Sequence, residues 1–164
     1  MLDGRACRCG STGCLEAYIG TPALLARWRE QNSGSALSAV SEEEAITALV
    51  TKATAGEASA IQLPQETTHY LGLGIANLIN LINPQHIMVG GWAGLRIGPL
   101  ILPELRRIVE QYALQSPFDA VTLDLCQLGQ DAVALGAATL PLEHFLSSGG
   151  KVSQPSMPVG VSAQ

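Results

Sequence analysis

The stretch CRCGSTGCLEAY, residues 7–18, sets Cys7, Cys9 and Cys14 in the spacing C-x-C-x4-C and follows them with an acid, Glu16. Thiolate sulfur is a soft donor that suits zinc, a borderline-soft ion that takes four donors in a tetrahedron. Gly10 and Gly13 stand between the cysteines and let the backbone fold tightly enough for three sulfurs to converge. The spacing alone leaves two plainer readings open: three small buried side chains, or a thiol pair poised for oxidation. Residues 3–13 are too rich in glycine and too short for a regular element, so they read as a knuckle-like loop.

Downstream of this loop the pattern turns helical. Leu15, Tyr18 and Ile19, then Leu24, Leu25 and Trp28, make two apolar patches broken by Gly20-Thr21-Pro22, with Thr21 expected as a helix N-cap before Pro22. Residues 31–40 read as a polar loop. Ser41 with Glu44 three positions on is a capping box, and Ile46, Leu49, Val50 and Ala53 form the stripe that follows; the acids Glu42, Glu43 and Glu44 belong to that cap. A third helix is expected from about Gly56 to Ile82, with Leu71, Ile75, Leu78, Ile79 and Ile82 on one face, kinked or divided at Pro64 and closed by Asn83-Pro84.

His86–Val89 reads as a buried strand emptying into Gly90-Gly91, a place where bare backbone can approach a phosphate or an adenine. A helix over about Leu100–Leu114, a half-buried strand over residues 121–126 and a helix capped by Asp131 and ending near Phe145 complete the series. The order is that of an α/β fold rich in helix. Two strands do not make a stable sheet alone, so further chain is expected to complete it. Cys126 is expected in the core, and residues 148–164 as a disordered tail.

Composition narrows the function classes. The chain of 164 residues is 47% hydrophobic and 14% charged, which excludes disorder as a whole. A net charge of -5 and 4% aromatics argue against a nucleic-acid surface in these residues, so any DNA contact is expected from elsewhere. No apolar run spans a membrane, since residues 71–91 carry Asn77, Asn80, Asn83, Pro84, Gln85 and His86. The first residues lack the apolar core of a secretory signal, which makes the cytoplasm the expected compartment and free thiols the expected state.

The segment CRCGSTGCLEAY resembles the C-x-C-G-x-x-G-C-x-E signature of the ROK family (repressors, open reading frames, kinases). LGLGIANLINLINPQHIMVGG and LGQDAVALGAATL are similar to later family segments, so the resemblance covers roughly residues 3–146. It implies the C-terminal part of an actin- and hexokinase-like (ribonuclease H-like) sugar-kinase fold, residues 1–147. Within it fall a zinc loop at 3–16, a helical region at 17–83 and a strand-helix-strand-helix unit at 86–146.

The resemblance further implies that Cys7, Cys9 and Cys14 are structural zinc ligands, their fourth partner a histidine in a Glu-x-Gly-His segment that these residues lack. His69, His86 and His144 are the histidines present, each with a blander place on a helix or strand. Glu16 matches the motif acid that accepts hydrogen bonds from sugar hydroxyls; its plainer reading is an acid at a helix N-terminus. Gly90 and Gly91 correspond to a nucleotide-site turn in kinase members, but Trp92 and Ala93 depart from the kinase pattern and favour the sugar-responsive repressors. The family's catalytic base and phosphate loops lie upstream of the cysteine motif, so no catalytic residue and no kinase activity are expected within these residues. Three functions stand: the sugar-sensing portion of a transcriptional regulator that meets DNA through an N-terminal domain; the same half of an ATP- and Mg²⁺-dependent hexose or amino-sugar kinase; or a zinc-stabilised dimerisation module. Family members commonly pair, which implies a homo-oligomer.

Overall fold

The computed structural model describes residues 3–31, 41–129 and 131–150. In order they are α1 (Glu16–Ile19), α2 (Thr21–Gln31), α3 (Glu42–Thr54), α4 (Ala58–Ile82), β1 (His86–Val89), α5 (Gly91–Tyr112), α6 (Gln115–Ala120), β2 (Thr122–Leu125) and α7 (Ala132–Ser147). The chain divides into two units between Gln130 and Asp131, so α7 is described by itself. The polar loop past Gln31 and the tail past Gly150 lie outside the described residues.

The core of the first unit has two parts. Leu24, Leu25 and Trp28 of α2 meet Ala45, Ile46 and Leu49 of α3, Ala60 and Leu63 of α4, and Ile97 and Ile101 of α5. Farther along, Ile75 and Ile79 of α4 pack with Leu105 and Val109 of α5 and Leu123 of β2. Helices α4 and α5 run through both parts and hold them together. Their approach is close at Gly72, where an added Cβ would stand 2.5 Å from Ile108 Cγ2. Gly98 plays the same part against β2, with Leu125 Cδ2 at 2.5 Å from such a Cβ.

The capping box at the start of α3 is present as expected. Ser41 N–H donates to Glu44 Oε2 at 2.9 Å, and Glu44 N–H donates to Ser41 Oγ at 3.2 Å. Ile46, Leu49 and Ala53 are buried along this helix. Asn83 takes the left-handed conformation at φ 46° and closes α4 by donating to the Ile79 carbonyl.

Several expectations are corrected. Helix α2 begins at Thr21 itself, with Leu24 N–H donating to the Gly20 carbonyl. Pro64 does not divide α4, which is continuous across it. Helix α5 starts at Gly91, well before Leu100, and includes Pro99 and Pro103. Burial of Ile97, Ile101, Leu105 and Ile108 at helical spacing outweighs the roughly 3 kcal/mol that an interior proline costs. On α4 the buried face is Ile75 and Ile79, whereas Leu78 and Ile82 are exposed. β1 is not fully buried: it pairs in parallel with β2, His86 opposite Thr122 through Val89 opposite Leu125, and its Met88 is 67% exposed. Cys126 is half-buried just past the end of β2. Asp131 makes no side-chain cap to α7, which shows Val133, Leu135, Leu140, Leu142 and Leu146 to solvent and has no buried residue. The short helix α6 was not foreseen; it has no buried residue to give it a pattern.

Gly72→Ala forces Cβ into the stiff, β-branched Ile108 and is expected to cost about 1–3 kcal/mol. A lower urea midpoint at unchanged slope is the readout, and Gly136→Ala, with nothing within 4 Å of its new Cβ, does not lower it. The Ser41 backbone N–H, then its hydroxyl, hold the Glu44 carboxyl below its ordinary pKa. A depressed folded pKa contributes stability above the unfolded value and loses it as the pH falls through the folded one. Glu44→Gln is therefore less stable than the parent at pH 7, and thermal melts converge as the pH drops below about 4.

Candidate functional site

The cysteine loop is a miniature hairpin. Ala6 bridges Thr12, Cys7 N–H donates to the Ser11 carbonyl at 2.8 Å, and Gly13 N–H donates to the Arg5 carbonyl at 2.8 Å. Gly10 and Gly13 have φ of 87° and 72°, a region that other residues enter only with strain. The result is convergence: the sulfurs of Cys7, Cys9 and Cys14 all lie within 4.8 Å of one another, and Cys9 Sγ is 3.6 Å from Cys14 Sγ.

Tetrahedral ligation at ~2.3 Å per metal–sulfur bond places sulfurs ~3.8 Å apart, so the trio fits three corners of such a site. The three cysteines can hold a metal ion; among the described residues no fourth histidine, cysteine or acid joins them. His69 lies edge-on to Tyr70 and Tyr112, His86 opens β1, and His144 is in α7. The Ser11 backbone, then Cys7 and Cys14, pull the Cys9 thiol below its ordinary pKa, while Cys9, then Cys7, push that of Cys14 up. Deprotonation of Cys9 is thus easier than that of an ordinary thiol, and the thiolate is the form that binds metal.

Leaving the loop, the chain makes the single turn of α1 and brings Glu16 round. Arg8 Nη2 lies 3.8 Å from Glu16 Oε1, and the carboxylate folds over Gly20, where a Cβ would collide with it. Glu16 lines a cavity of about 370 Å³ together with Thr21, Thr67, Gly90, Gly91 and Trp92. Its remaining walls are aliphatic or glycine, which leaves Glu16 as the one ionisable side chain among the described residues of the lining. That volume suits a small ligand, and an acid with an aromatic and two hydroxyls is a set that orients one. Gly90 is the N-cap of α5 and Gly91 its first residue, at φ 76°. A Cβ on Gly90 would meet Cys126 Cβ at 3.2 Å.

Tertiary structure thus brings Glu16 to the Gly90-Gly91 pair, more than seventy positions away in sequence, and sets the cysteine trio beside them through Cys14 and Leu15. Sequence reasoning missed a further group. Glu66 of α4 accepts from Arg5 Nη2 at 2.6 Å and from Arg27 Nη1, while Arg27 Nη2 also donates to the Tyr18 carbonyl at 2.9 Å. Arg5 N–H donates to the Tyr18 hydroxyl at 3.0 Å. No local signal marks pairs 39 and 61 positions apart.

A parallel strand pair with helices packed along it, preceded by a cysteine loop, makes a helix-rich α/β fold. A ROK hexokinase structure from Thermus thermophilus shares that fold at a TM-score of 0.70 and 26% identity, over 88% of this chain and 46% of the hexokinase chain. The chain belongs to the ROK family, whose sequence pattern matches residues 2–144. It is similar to a glucokinase of Halalkalibacterium halodurans, 29% identical over 84% of this chain and 43% of the glucokinase. It is also similar to the xylose repressor of Bacillus subtilis, 26% identical over 88% of this chain and 35% of the repressor. The chain therefore spans less than half the length of these relatives. No helix among the described residues is long and apolar enough to cross a membrane.

Cobalt(II) is expected to titrate the reduced protein with a sulfur-to-metal charge-transfer absorption. Cys9→Ser removes one donor and weakens metal binding by more than the roughly tenfold that loss of an outer partner costs. An absorption unchanged by that substitution refutes ligation by Cys9.

Proposed function

We propose that this chain is the sugar-sensing C-terminal portion of a ROK-family transcriptional regulator, part of a longer protein whose other segments read DNA. The observation that carries it is Glu16, the one ionisable group among the described residues lining a cavity that also includes Trp92. A carboxylate accepts from two neighbouring sugar hydroxyls at once, and an aromatic side chain offers apolar surface to the C–H face of the ring. Thr21 and Thr67 add hydroxyls that donate or accept.

Cys7, Cys9 and Cys14 would hold zinc, with a fourth donor from outside these residues; the ion supplies a structural cross-link and no chemistry on the sugar. The convergence of the sulfurs supports this. Cys14 leads through Leu15 into Glu16, so a clasped loop restricts where the carboxylate can point. Sugar then shifts the balance between DNA-competent and released arrangements, provided the two differ in affinity for it.

The second reading is the same half of an ATP-dependent hexose kinase. It draws on the Gly90-Gly91 turn at the start of α5, where backbone N–H groups face a prospective phosphate, and on the similarity to a glucokinase. Trp92 weighs against it. This tryptophan departs from the kinase pattern and lines the cavity directly beside that turn.

Calorimetric titration with D-glucose, D-xylose and N-acetylmannosamine is expected to show saturable binding of one of them, unaffected by ATP and Mg²⁺. Glu16→Gln removes a charge-assisted hydrogen bond worth about 1.5–3 kcal/mol and weakens that affinity by roughly tenfold or more. Binding of ATP in the cavity, with enhancement of sugar affinity, would favour the kinase reading instead.

A further inference from the structure

Helix α1 is a single turn, Glu16–Ile19, and a helix of that length does not hold itself. The amides of Ala17, Tyr18 and Ile19, and that of the C-cap Gly20, donate to carbonyls between Cys14 and Glu16. Whatever fixes its direction must come from other elements, and those contacts converge on Tyr18, two residues from Glu16. The Tyr18 ring is buried; it lies 4.4 Å from the Tyr70 ring of α4 and stacks beneath the Arg5 guanidinium, whose centre is 4.6 Å away. Its hydroxyl accepts from Arg5 N–H and its carbonyl accepts from Arg27. Both arginines end on Glu66.

We propose that Glu66 is a positioning residue, whose carboxylate gathers Arg5 of the cysteine loop and Arg27 of α2 so that Tyr18 is gripped at both ends and Glu16 is aimed into the cavity. This rests on the sugar-binding reading of Glu16. The chemistry favours a device of this kind over an ordinary surface ion pair. Arg27 is only 14% exposed and Glu66 34%, so solvent screens the pairing less than it would at the surface. Two guanidiniums share one carboxylate, and its removal leaves like charges facing each other at the junction of the loop, α1 and α2. Thr67, the next residue on α4, accepts from Arg27 Nη2 at 3.4 Å and lines the same cavity as Glu16. The clamp and the cavity are therefore adjacent along α4. Gly4 closes the loop side, since a Cβ there would meet Gly13 Cα at 2.5 Å and the Tyr18 hydroxyl at 2.7 Å.

The test pairs amide hydrogen exchange with sugar titration on the full 164-residue chain supplied with zinc. Glu66→Gln is expected to speed exchange at Ala17, Tyr18, Ile19 and Gly20 by at least about tenfold while the α4–α5 core keeps its protection, and to weaken sugar binding. Arg5→Gln, which leaves the Arg27–Glu66 pair in place, moves both readouts in the same direction and serves if Glu66→Gln does not fold. Equal loss of protection through α4 and α5 would mark a merely structural role and overturn the proposal. So would unchanged α1 exchange, or sugar affinity retained in Glu66→Gln beside its loss in Glu16→Gln; either outcome leaves the sugar reading intact. Parental sugar affinity in Glu16→Gln refutes that reading and the positioning role with it, whatever the exchange rates show.

Discussion

The constraint on which the rest of the structure depends is the contact of α4 with α5 at Gly72, where Ile108 occupies the space a side chain would take. Once the two helices meet there, one part of the core forms with α2 and α3 and the other with β2. Glu66 and Thr67 then face α1 and α2, while the glycine turn before α5 comes to the same cavity. The site is a consequence of that helix pair.

What the pair does not hold by itself is the direction of Glu16. A four-residue helix between a glycine-bent hairpin and a glycine C-cap has little internal restraint. Side chains from α2 and α4 supply it, through Tyr18, Arg27 and Glu66, and Gly20 leaves the room into which the carboxylate folds. A carboxylate held from outside its own element is sensitive to how neighbouring elements sit.

Much was legible in advance where the physics is local. The cysteine spacing with Gly10 and Gly13 announces a tight, sulfur-lined loop, because thiol number, thiol spacing and glycine freedom are all properties of neighbours in sequence. The Ser41–Glu44 box and the end of α4 at Asn83 were legible for the same reason. Reading failed where packing overrides a local preference. Pro64 suggests a break and the second long helix was expected only from about Leu100, yet core burial carries α4 through Pro64 and begins α5 at Gly91, ahead of Pro99. β1 looked fully buried from its apolar run, but a run of that kind does not say how many faces are covered, and Met88 is exposed.

From the residues alone came the class of fold, the metal-ready trio of sulfurs and an acid poised just after it, all governed by interactions within a few positions. Only the tertiary structure decided that Glu16, Thr67, Gly90 and Trp92 share one cavity, and that a single carboxylate on α4 ties two distant arginines to the turn bearing Glu16. The physical reason is sequence separation: ion pairs and cavity walls formed across dozens of residues leave no periodicity to read, and exist only once the helices have closed on each other.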